Sequence, residues 1–487
     1  MILRQITVKD FRGFPGPAEY SFDLEGAQHL LIYGENGSGK SSLFRALEEF
    51  FNLDSKAKTF AEFKNIFSDP ALTDGSVAVS FDDGTSLAWQ FGNKRQTANP
   101  IVGNVAIRLG CIDYRALLRT HFVHEDETVN LFRLAVNVLL AHHPVSIAGR
   151  STTVGKVWQR VISTKPGTHH KRNLQRSNEA VKEFNEAINA VLPGLSAKAQ
   201  ELIAGFAGCD FEMFLRYPGL QYDLVKRSYT GQELFLDISR SGVPLKGHQH
   251  FLNEARLSAI ALAIYFAGLL VSVPPPPPGA PQYPKLLVLD DVLIGLDMSN
   301  RIPVLELLRQ HFSDWQIFLF TYDKVWYEIV HLQTQDDPAW RCHELYAGES
   351  HGGMQIPVQL PCGKGWDYYL ARARKHLAEN DERASAVYAR AAFEGKLKKY
   401  CEKHGVWVKF NRDPRQVPNQ AFWDASKKHA LEAAQNDPAK TARLQTMFAD
   451  VEMYRKIVLN PLSHSAAAAI VRAEIQGAID AVARLTL

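Results

Sequence analysis

The stretch GENGSGKSS, residues 34 to 42, carries the clearest chemistry in this chain. It fits the pattern G-x-x-x-x-G-K-[ST] and stands between a predicted strand and a predicted helix, the context in which that pattern binds nucleotide phosphates. Glycines let the backbone wrap closely around phosphates, so that its N–H groups and the helix N-terminus face negative charge. The predicted phosphate-binding residues are Gly34, Asn36, Gly37, Ser38, Gly39, Lys40, Ser41 and Ser42.

Two of these side chains, together with a downstream carboxylate pair, have separate predicted tasks. Lys40 would reach the β- and γ-phosphates of ATP, and the Ser41 hydroxyl would bind Mg²⁺. The run LLVLDDVLIGLD is apolar up to the adjacent Asp290 and Asp291. We expect Asp290, at the end of a buried strand, to bind the metal directly or through water, and Asp291 to orient or deprotonate the attacking water. Taken alone, such a pair is also typical of a helix cap or a turn.

A third constellation lies in the last quarter of the chain. Arg390 and Glu394 are four residues apart and therefore share one face of a predicted helix, and His464 follows in YRKIVLNPLSHS. Arginine can stabilise a phosphorane while His or Glu moves protons in an attack by an RNA 2′-hydroxyl, a reaction that requires no metal. The alternative is structural, since an Arg/Glu pair at this spacing is usually a salt bridge and one His near a helix end is usually a cap.

The elements that must position these groups follow from the periodicity of apolar residues. LRQITVKDF alternates like a strand, HLLIY is a short buried run, and SSLFRALEEFFNL is a helix. SVAVSFDDGTSLAWQF predicts a hairpin that turns at Asp83 and Gly84, and NEARLSAIALAIYFAGLL predicts a helix capped by Asn253. Strands that alternate with helices indicate an α/β sheet with parallel strands.

Three further features divide the chain. Residues 115 to 205 are mostly helical in pattern and predict a short helical arm, and the proline-rich residues 273 to 284 predict an exposed loop. Beyond residue 362 the strand signals thin out and helical patterns dominate. We therefore predict an α/β ATPase domain over residues 1 to 362 and a basic all-α domain over residues 366 to 487.

Composition and charge limit the class of protein. Hydrophobic residues make up 46% and charged residues 22%. We expect no membrane contact and a cytoplasmic location, because the longest apolar stretch, residues 257 to 273, is shorter than the roughly 18 residues of a span and the N-terminus lacks a secretory signal. The net charge of +3 hides an asymmetry, since residues 361 to 487 carry 21 Lys and Arg against 14 Asp and Glu. This segment is the candidate polyanion-binding part, or else a helical domain with charged, solvated faces.

The first two thirds of the chain carry a family resemblance. LRQITVKDFRGF, the phosphate loop and LLVLDDVLIGLD together resemble the SMC/RecF/ABC-type ATPases over roughly residues 1 to 335. The resemblance implies a P-loop ATPase head with a short helical insertion, ATP and Mg²⁺ as cofactors, and two subunits clamped head to head by ATP, or a higher oligomer. It assigns Asn253 to a signature helix that faces the nucleotide of the second subunit, Asp297 to the dimer seam, and Arg12 to a position near the nucleotide.

The sequence departs from this family pattern at catalytic positions. Asn253 and Ala255 stand where Ser and Gly are usual in the signature segment, Asp291 replaces the usual Glu, and Tyr322 replaces the usual switch His. Because Asp is one methylene shorter than Glu and tyrosine cannot act as an imidazole switch, we expect slow hydrolysis, with ATP acting partly as a state signal. The glutamine that usually contacts the metal is not placed by the sequence, and Gln90 is a candidate for it.

The last quarter of the chain carries a second resemblance. Residues 366 to 487 are similar to the HEPN-like nuclease domain of the PrrC and RloC anticodon nucleases, on Arg390, Glu394 and His464. That similarity implies an ATP-regulated tRNA nuclease in anti-phage defence, with a phage-encoded trigger or partner protein. The alternative is a nucleotide-switched sensor or scaffold whose C-terminal helices bind a separate nuclease or DNA, in defence or in DNA repair.

Overall fold

The computed structural model describes most of the 487 residues. The described ranges are 1–54, 58–120, 129–166, 171–245, 247–274, 281–334, 337–349, 355–361, 365–408, 419–459 and 472–486. Within them the chain divides into two compact units, Met1–Leu360 and Pro361–Leu487. This division lies close to the boundary predicted near residues 362 to 366.

Strands belong to the first unit, except that the last of them ends at the division between the units. They are β1 (Leu3–Phe11), β2 (Phe14–Asp23), β3 (His29–Gly34), β4 (Ser76–Phe81), β5 (Ser86–Gln90), β6 (Leu109–Asp113), β7 (Pro144–Ile147), β8 (Arg150–Thr153), β9 (Glu212–Arg216), β10 (Gln221–Asp223), β11 (Ser228–Thr230), β12 (Phe235–Arg240), β13 (Val243–Pro244), β14 (Leu286–Asp290), β15 (Gln316–Thr321), β16 (Trp340–Glu349) and β17 (Gln355–Pro361).

Helices occur in both units, and those from α11 onward form the second. They are α1 (Lys40–Phe50), α2 (Pro100–Ala106), α3 (Tyr114–Leu118), α4 (Phe132–Leu134), α5 (Val154–Ser163), α6 (Lys171–Ile203), α7 (His248–Phe251), α8 (Glu254–Ser272), α9 (Met298–His311), α10 (Lys324–Thr334), α11 (Gly365–Ala378), α12 (Glu382–Lys403), α13 (Asn419–Ala433), α14 (Pro438–Tyr454) and α15 (Arg472–Arg484).

The first unit is built on a six-stranded sheet in the order β17-β16-β3-β15-β14-β6. The pairs β16/β3, β3/β15, β15/β14 and β14/β6 are all parallel. Every residue of β14 and β15 is buried, as expected for strands covered on both faces. The prediction of a parallel α/β sheet is confirmed, and the carboxyl ends of these strands meet at one edge.

A second sheet, in the order β2-β1-β4-β5, carries the N-terminal strands. Its β4/β5 hairpin turns at Asp83 and Gly84 as predicted. Gly84 adopts a φ of 83°, and the Asp83 carboxylate accepts a hydrogen bond from the N–H of Thr85 at 2.9 Å. Apolar side chains from both sheets and from α1 share one core, in which α1 packs against β14.

The described residues between 115 and 205 are mostly helical, in α3 to α6. The sequence pattern did not predict the hairpin β7/β8, which interrupts the helices and turns at Ala148 and Gly149 with φ values of 48° and 75°. Two successive positive φ angles define the tight turn that suits a two-residue hairpin, and they override the helical pattern on either side. The proline-rich loop prediction falls largely on residues 275 to 280, which lie outside the described residues.

The helix α8 is capped by Asn253, as predicted, through a hydrogen bond from the N–H of Arg256 at 3.0 Å. Contrary to the sequence-based expectation, the 19-residue helix Glu254–Ser272 is long and apolar enough to cross a membrane by length and composition alone. However, 72% of its most apolar window is buried inside the protein. Its apolar surface therefore serves the core of the first unit.

The second unit is all-helical in its described residues, as predicted. Its core joins side chains from all five helices, among them Leu370, Phe393, Trp423, Phe448 and Ile479. The long α12 lies at its centre and packs against α11, α13 and α15.

Candidate functional site

The phosphate loop links the end of β3 to the start of α1, where the sequence places it. Gly37 and Gly39 adopt φ values of 86° and 105°, which favour glycine. Gly34 is required for a different reason, because a Cβ atom there would lie 2.4 Å from the Ser38 hydroxyl oxygen and 2.7 Å from Lys40 Cγ. The loop thus folds tightly over its own lysine.

The N-terminus of α1 is open toward the loop. Its N-cap residue is Gly39, no side chain caps it, and its first turn carries no acidic residue. The first N–H groups of a helix have no intrahelical partner and carry partial positive charge, so an anion satisfies them. Lys40 adds a full charge: its side chain is 4% exposed and its Nζ donates to the carbonyl oxygen of Gly34 at 2.7 Å.

Asp290 ends β14 beside this loop. It is 5% exposed, and its Oδ1 atom is buried without a hydrogen-bond partner. Burial raises its pKa to about 6, against the opposing effects of a hydrogen bond from the Ser41 hydroxyl and the charge of Lys40. A buried carboxylate oxygen without a partner, next to a hydroxyl, is a donor set that suits a hard divalent cation.

Asp291 is held in a strained backbone conformation. Its φ is 54°, and its N–H donates to the carbonyl of Phe320 at 3.0 Å. Its Oδ1 accepts from the N–H of Tyr322 at 2.8 Å, while its Oδ2 lies 3.8 Å from the Lys40 ammonium. Burial raises the pKa of this carboxyl as well. The carboxylate is therefore fixed at both oxygens, and non-glycine strain of this kind clusters at functional sites.

A small cavity borders Asp291 and is lined in part by Arg301, Thr321, Tyr322 and Asp323. Its volume of about 10 Å³ is close to that of one water molecule. Tyr322 follows β15, is 40% exposed, and is joined to Asp291 through its backbone. Tyr322 thus lines the space in which a water next to Asp291 would sit.

Asp297 and Asn253 each cap a helix. Asp297 accepts from the N–H of Asn300 at 3.1 Å at the start of α9, and hydrogen bonds from Ser299 and Asn300 lower its pKa. The two helix starts approach each other at Gly295, where a Cβ atom would lie 2.2 Å from the Ser258 hydroxyl oxygen. The GLD segment is therefore packed directly against α8, the predicted signature helix.

Arg12 is exposed and lies beside the phosphate loop. Together with Gly37 and Ser42 it lines a cavity of about 370 Å³. The far edge of that cavity carries Ile66 and Phe67, which are 85% and 75% exposed. Sequence reasoning missed this apolar pair, since no periodic pattern marks a two-residue loop.

Sequence reasoning also missed Asp113. It ends β6 and lies directly opposite Asp290 in the parallel register. Its carboxylate accepts from the N–H of Ala116 at 2.7 Å, lies 3.7 Å from Arg45, and adds to the raised pKa of Asp290. The signal was available in LGCID, another short apolar run that ends in aspartate. Gln90, the candidate from the sequence, ends β5 in the other sheet and accepts a hydrogen bond from Asn93.

In the second unit the structure brings Arg390 and Glu394 together. Arg390 Nε donates to Glu394 Oε1 at 2.8 Å, and both side chains are 26% exposed. Arg390 Nη1 also lies 3.4 Å from the carbonyl oxygen of Leu459. His464, the third predicted residue, and Asn460 lie outside the described residues.

Three features define the class of this chain: the parallel sheet, the glycine loop after β3, and the carboxylate of Asp290 at the end of β14, which is separated from β3 by β15. The chain has a P-loop ATPase fold. A family model described as an AAA domain matches residues 5–104. The sheet order, the loop and this match confirm the predicted fold class of a P-loop ATPase head followed by an all-helical region.

Solved structures similar to this chain include SMC head domains. One is an Smc head bound to the C-terminal winged-helix domain of ScpA, with 14% identity, a TM-score of 0.42, and coverage of 75% of this chain and 99% of that one. Another is the Smc head from Pyrococcus furiosus with an extended coiled coil, bound to the C-terminal domain of ScpA, with 14% identity, a TM-score of 0.42, and coverage of 78% and 99%. A third is the SMC head domain from Thermotoga maritima, with 13% identity, a TM-score of 0.36, and coverage of 74% and 100%. No curated protein matches this chain.

Proposed function

We propose that this chain is an ATP-binding, slowly hydrolysing ABC/SMC-type ATPase that controls its own C-terminal unit as an RNA nuclease. The observation that carries the ATPase part is the convergence of Lys40, Ser41, Asp290 and Asp291 at the end of the phosphate loop. The raised pKa of Asp291 makes its carboxylate a stronger base than a solvated aspartate. Its backbone hydrogen bonds hold it beside a cavity of the size of one water.

The residues at the loop fit Mg²⁺. Asp290 and Ser41 would hold it, and the ion would neutralise charge on the phosphate oxygens. Among the described residues no group of three or more His, Cys, Asp or Glu side chains is arranged to hold a metal alone. The site therefore favours a cation that arrives with the nucleotide, whose oxygens complete the coordination.

ATP would also join two copies of the chain. The N-terminus of α8, with Asn253, Glu254 and Ala255, is solvent-accessible and is braced by the GLD segment at Gly295. A helix N-terminus of the partner copy that faces the γ-phosphate would bind better in the ATP state than after hydrolysis. Slow hydrolysis would then lengthen the lifetime of the clamp.

For the second unit we propose cleavage of RNA, with tRNA as the target class, in cytoplasmic anti-phage defence under a phage-encoded trigger. The support is the half-buried Arg390–Glu394 pair, since a guanidinium and a carboxylate in contact are suited to phosphorane stabilisation and proton transfer. The second candidate function is a sensor or scaffold whose helices bind a separate nuclease or DNA. The contact of Arg390 with the main-chain carbonyl of Leu459 favours this second candidate, because an arginine that only holds helices together makes the same kind of contact.

One experiment separates the two candidates. Wild type, Lys40→Ala, Glu394→Gln and His464→Ala are expressed in cells, the cells are challenged with phage, and RNA 5′ ends are sequenced. We expect new RNA ends in wild type and their loss in all three variants, with Arg383→Ala, on the same helix, as the matched control. If no RNA is cut and His464→Ala still protects, the nuclease proposal is wrong and the scaffold is favoured. If Lys40→Ala is fully active, ATP does not control the output.

A further inference from the structure

The end of α12 is a firmly capped helix terminus that presents an exposed tryptophan. Gly405 adopts a φ of 61°, and the N–H groups of Gly405 and Val406 donate to the carbonyls of Glu402 and Cys401 at 3.3 and 2.8 Å. This is the hydrogen bonding of a helix C-cap. Val406 packs against the core of the unit, whereas Trp407, the next residue, is 94% exposed. The Trp407 ring therefore lies beside a capped helix end and is available to stack on a ligand.

Three more rings, two at the end of α12 and one on α13, cluster near this cap. Tyr400 lies 4.5 Å from His404 and 5.6 Å from His429 of α13, measured between ring centroids, and the two histidines are 5.6 Å apart. The Tyr400 hydroxyl and His429 Nδ1 form a hydrogen bond of 2.8 Å. Tyr400 is buried, His429 is half-buried and His404 is exposed. The rings thus extend the aromatic surface outward from the core to the helix end.

Exposed lysines are adjacent in sequence to each of these three rings. Lys399 and Lys403 are exposed and lie one helical turn apart. Lys428, next to His429, is 79% exposed and lies 3.9 Å from Glu432. That exposed pair neutralises little, since exposed ion pairs are weak. The exposed Glu402 is the carboxylate on the last turn of α12, so lysine is in excess there.

We propose that these residues form a surface that binds single-stranded nucleic acid, and we call it the Trp407 surface. It consists of Lys399, Lys403, His404, Trp407, Lys428 and His429. Aromatic side chains stack on bases that are free of a duplex, and lysines follow the phosphates. A duplex hides its base faces, so the exposed ring favours single strands. The inference deepens the proposed function, because it names where the C-terminal unit holds its substrate.

Fluorescence anisotropy on the full-length chain tests this inference. The probe is a labelled U-rich RNA of about 20 nucleotides, long enough for a typical single-strand site, with the same sequence as DNA and as a duplex in separate arms. We expect Trp407→Ala to weaken single-strand binding about tenfold and Trp407→Phe to restore most of it. Lys399→Glu with Lys403→Glu should weaken binding and flatten its salt dependence, because fewer counterions are released.

The charge-matched control is Lys375→Glu, on α11, with Arg383→Glu, in the first turn of α12 and so at the end opposite to Trp407. Lys375 is 60% exposed. The control should bind like wild type, and circular dichroism should show every variant folded. Equal losses in the control, an unaffected Trp407→Ala variant, or tighter binding of the duplex would each overturn the inference. Equal affinity for the RNA and the DNA single strands would support the inference and show that the Trp407 surface binds both.

ATP hydrolysis and RNA-end sequencing on the same variants keep this inference apart from the proposed function. If RNA is cut and Trp407→Ala binds normally, the surface is wrong and the nuclease stands. If single strands bind through Trp407 but no RNA is cut, the surface stands and the nuclease proposal fails.

Discussion

The adjacent carboxylates Asp290 and Asp291 show how environment separates two identical residues. Asp290 is in regular strand geometry, almost fully buried, with one oxygen lacking a partner. Asp291 has turned out of the strand at a φ of 54°, with both oxygens directed to polar groups. Asp290 thus has an oxygen that a ligand could use, whereas the carboxylate of Asp291 is held in one orientation. The proposed division into metal binding and water activation follows from this difference.

At Lys40 we expect replacement by alanine to lower ATP affinity about 10- to 100-fold, the value of losing a charge-assisted contact with phosphate. Binding of a fluorescent ATP analogue measures it. Lys94→Ala, at an exposed position of the same unit, serves as the control. Similar affinity in both variants would show that the loop does not hold the phosphates.

At Asp291 we expect asparagine to lower the rate of ATP hydrolysis at least about 100-fold, as the loss of a general base does, while ATP binds no more weakly. Asparagine is suited to this position because it tolerates a positive φ, so the fold should be kept. Steady-state phosphate release and ATP titration give the two values. The exposed Asp314→Asn is the control, and unchanged turnover in Asp291→Asn would exclude the assigned role.

At the scale of single elements, buried polar groups join helices and strands that are far apart in sequence. Lys396 of α12 donates to the carbonyls of Val482, Ala483 and Leu485 at 2.7, 2.9 and 2.9 Å. Its ammonium also lies 3.9 Å from the centroid of the Trp366 ring. One lysine thus donates to three carbonyl groups at the end of α15, where the regular helical hydrogen bonds run out. The Val482 carbonyl also accepts from the N–H of Leu485 at 3.3 Å.

Replacement of Lys396 by methionine should lower the free energy of unfolding by about 2–4 kcal/mol, because several buried carbonyls lose their donor together. Hydrogen exchange of α15 peptides, followed by mass spectrometry, should show the loss first at that helix. Lys398→Met, exposed on the same helix, is the control. Equal protection of α15 in both variants would contradict a capping role.

His29 joins β3 to β15 in the parallel sheet. Its Nδ1 accepts from the N–H of Ile317 at 3.1 Å, and burial lowers its pKa to about 4 from an ordinary value of 6.5. As the pH falls from 6.5 to 4, the unfolded chain binds a proton here and the folded chain does not. Stability is therefore lost in that window, by at most about 1.4 kcal/mol per pH unit for one group.

Replacement of His29 by asparagine, which can still accept the Ile317 hydrogen bond, should flatten this acid-dependent loss of stability. Denaturant titrations at pH 7, 6 and 5 provide the comparison. The exposed His250→Asn variant should keep the slope of wild type. An unchanged slope in His29→Asn would show that another group is responsible.

At the scale of the whole molecule, the proposed clamp predicts an ATP-dependent change of mass. In the Asp291→Asn background, Mg²⁺ and ATP should convert monomer to dimer in size-exclusion chromatography with light scattering. Adding Ala255→Arg at the start of α8 should block the dimer and leave ATP binding intact, because a long side chain would occupy the space of the second nucleotide. The control variant Ala197→Arg, on α6, should still form the dimer. A dimer in the Ala255→Arg variant would show that the start of α8 does not lie at the dimer contact.

Much of the site was predictable from sequence because its signals are local. The glycines of residues 34 to 42, the apolar runs that end in Asp290 and Asp291, and the hairpin at Asp83 and Gly84 each depend on a few neighbouring residues. So did the Asn253 cap and the pairing of Arg390 with Glu394, which follows from helical spacing. Site roles and the nuclease remain predictions.

Other features were decided by tertiary structure, for a physical reason: sequence pattern does not give the partner of a strand or the depth of a side chain. Strand order places β14 beside β6, and only that order sets Asp113 opposite Asp290. Burial in that sheet, rather than residue type, raises the pKa of Asp290 to about 6. The positive φ of Asp291 and the contacts of Lys396 with α15 likewise arise when distant segments pack. The sequence by itself determined which residues are candidates for the chemistry, and packing decided their neighbours and their charge.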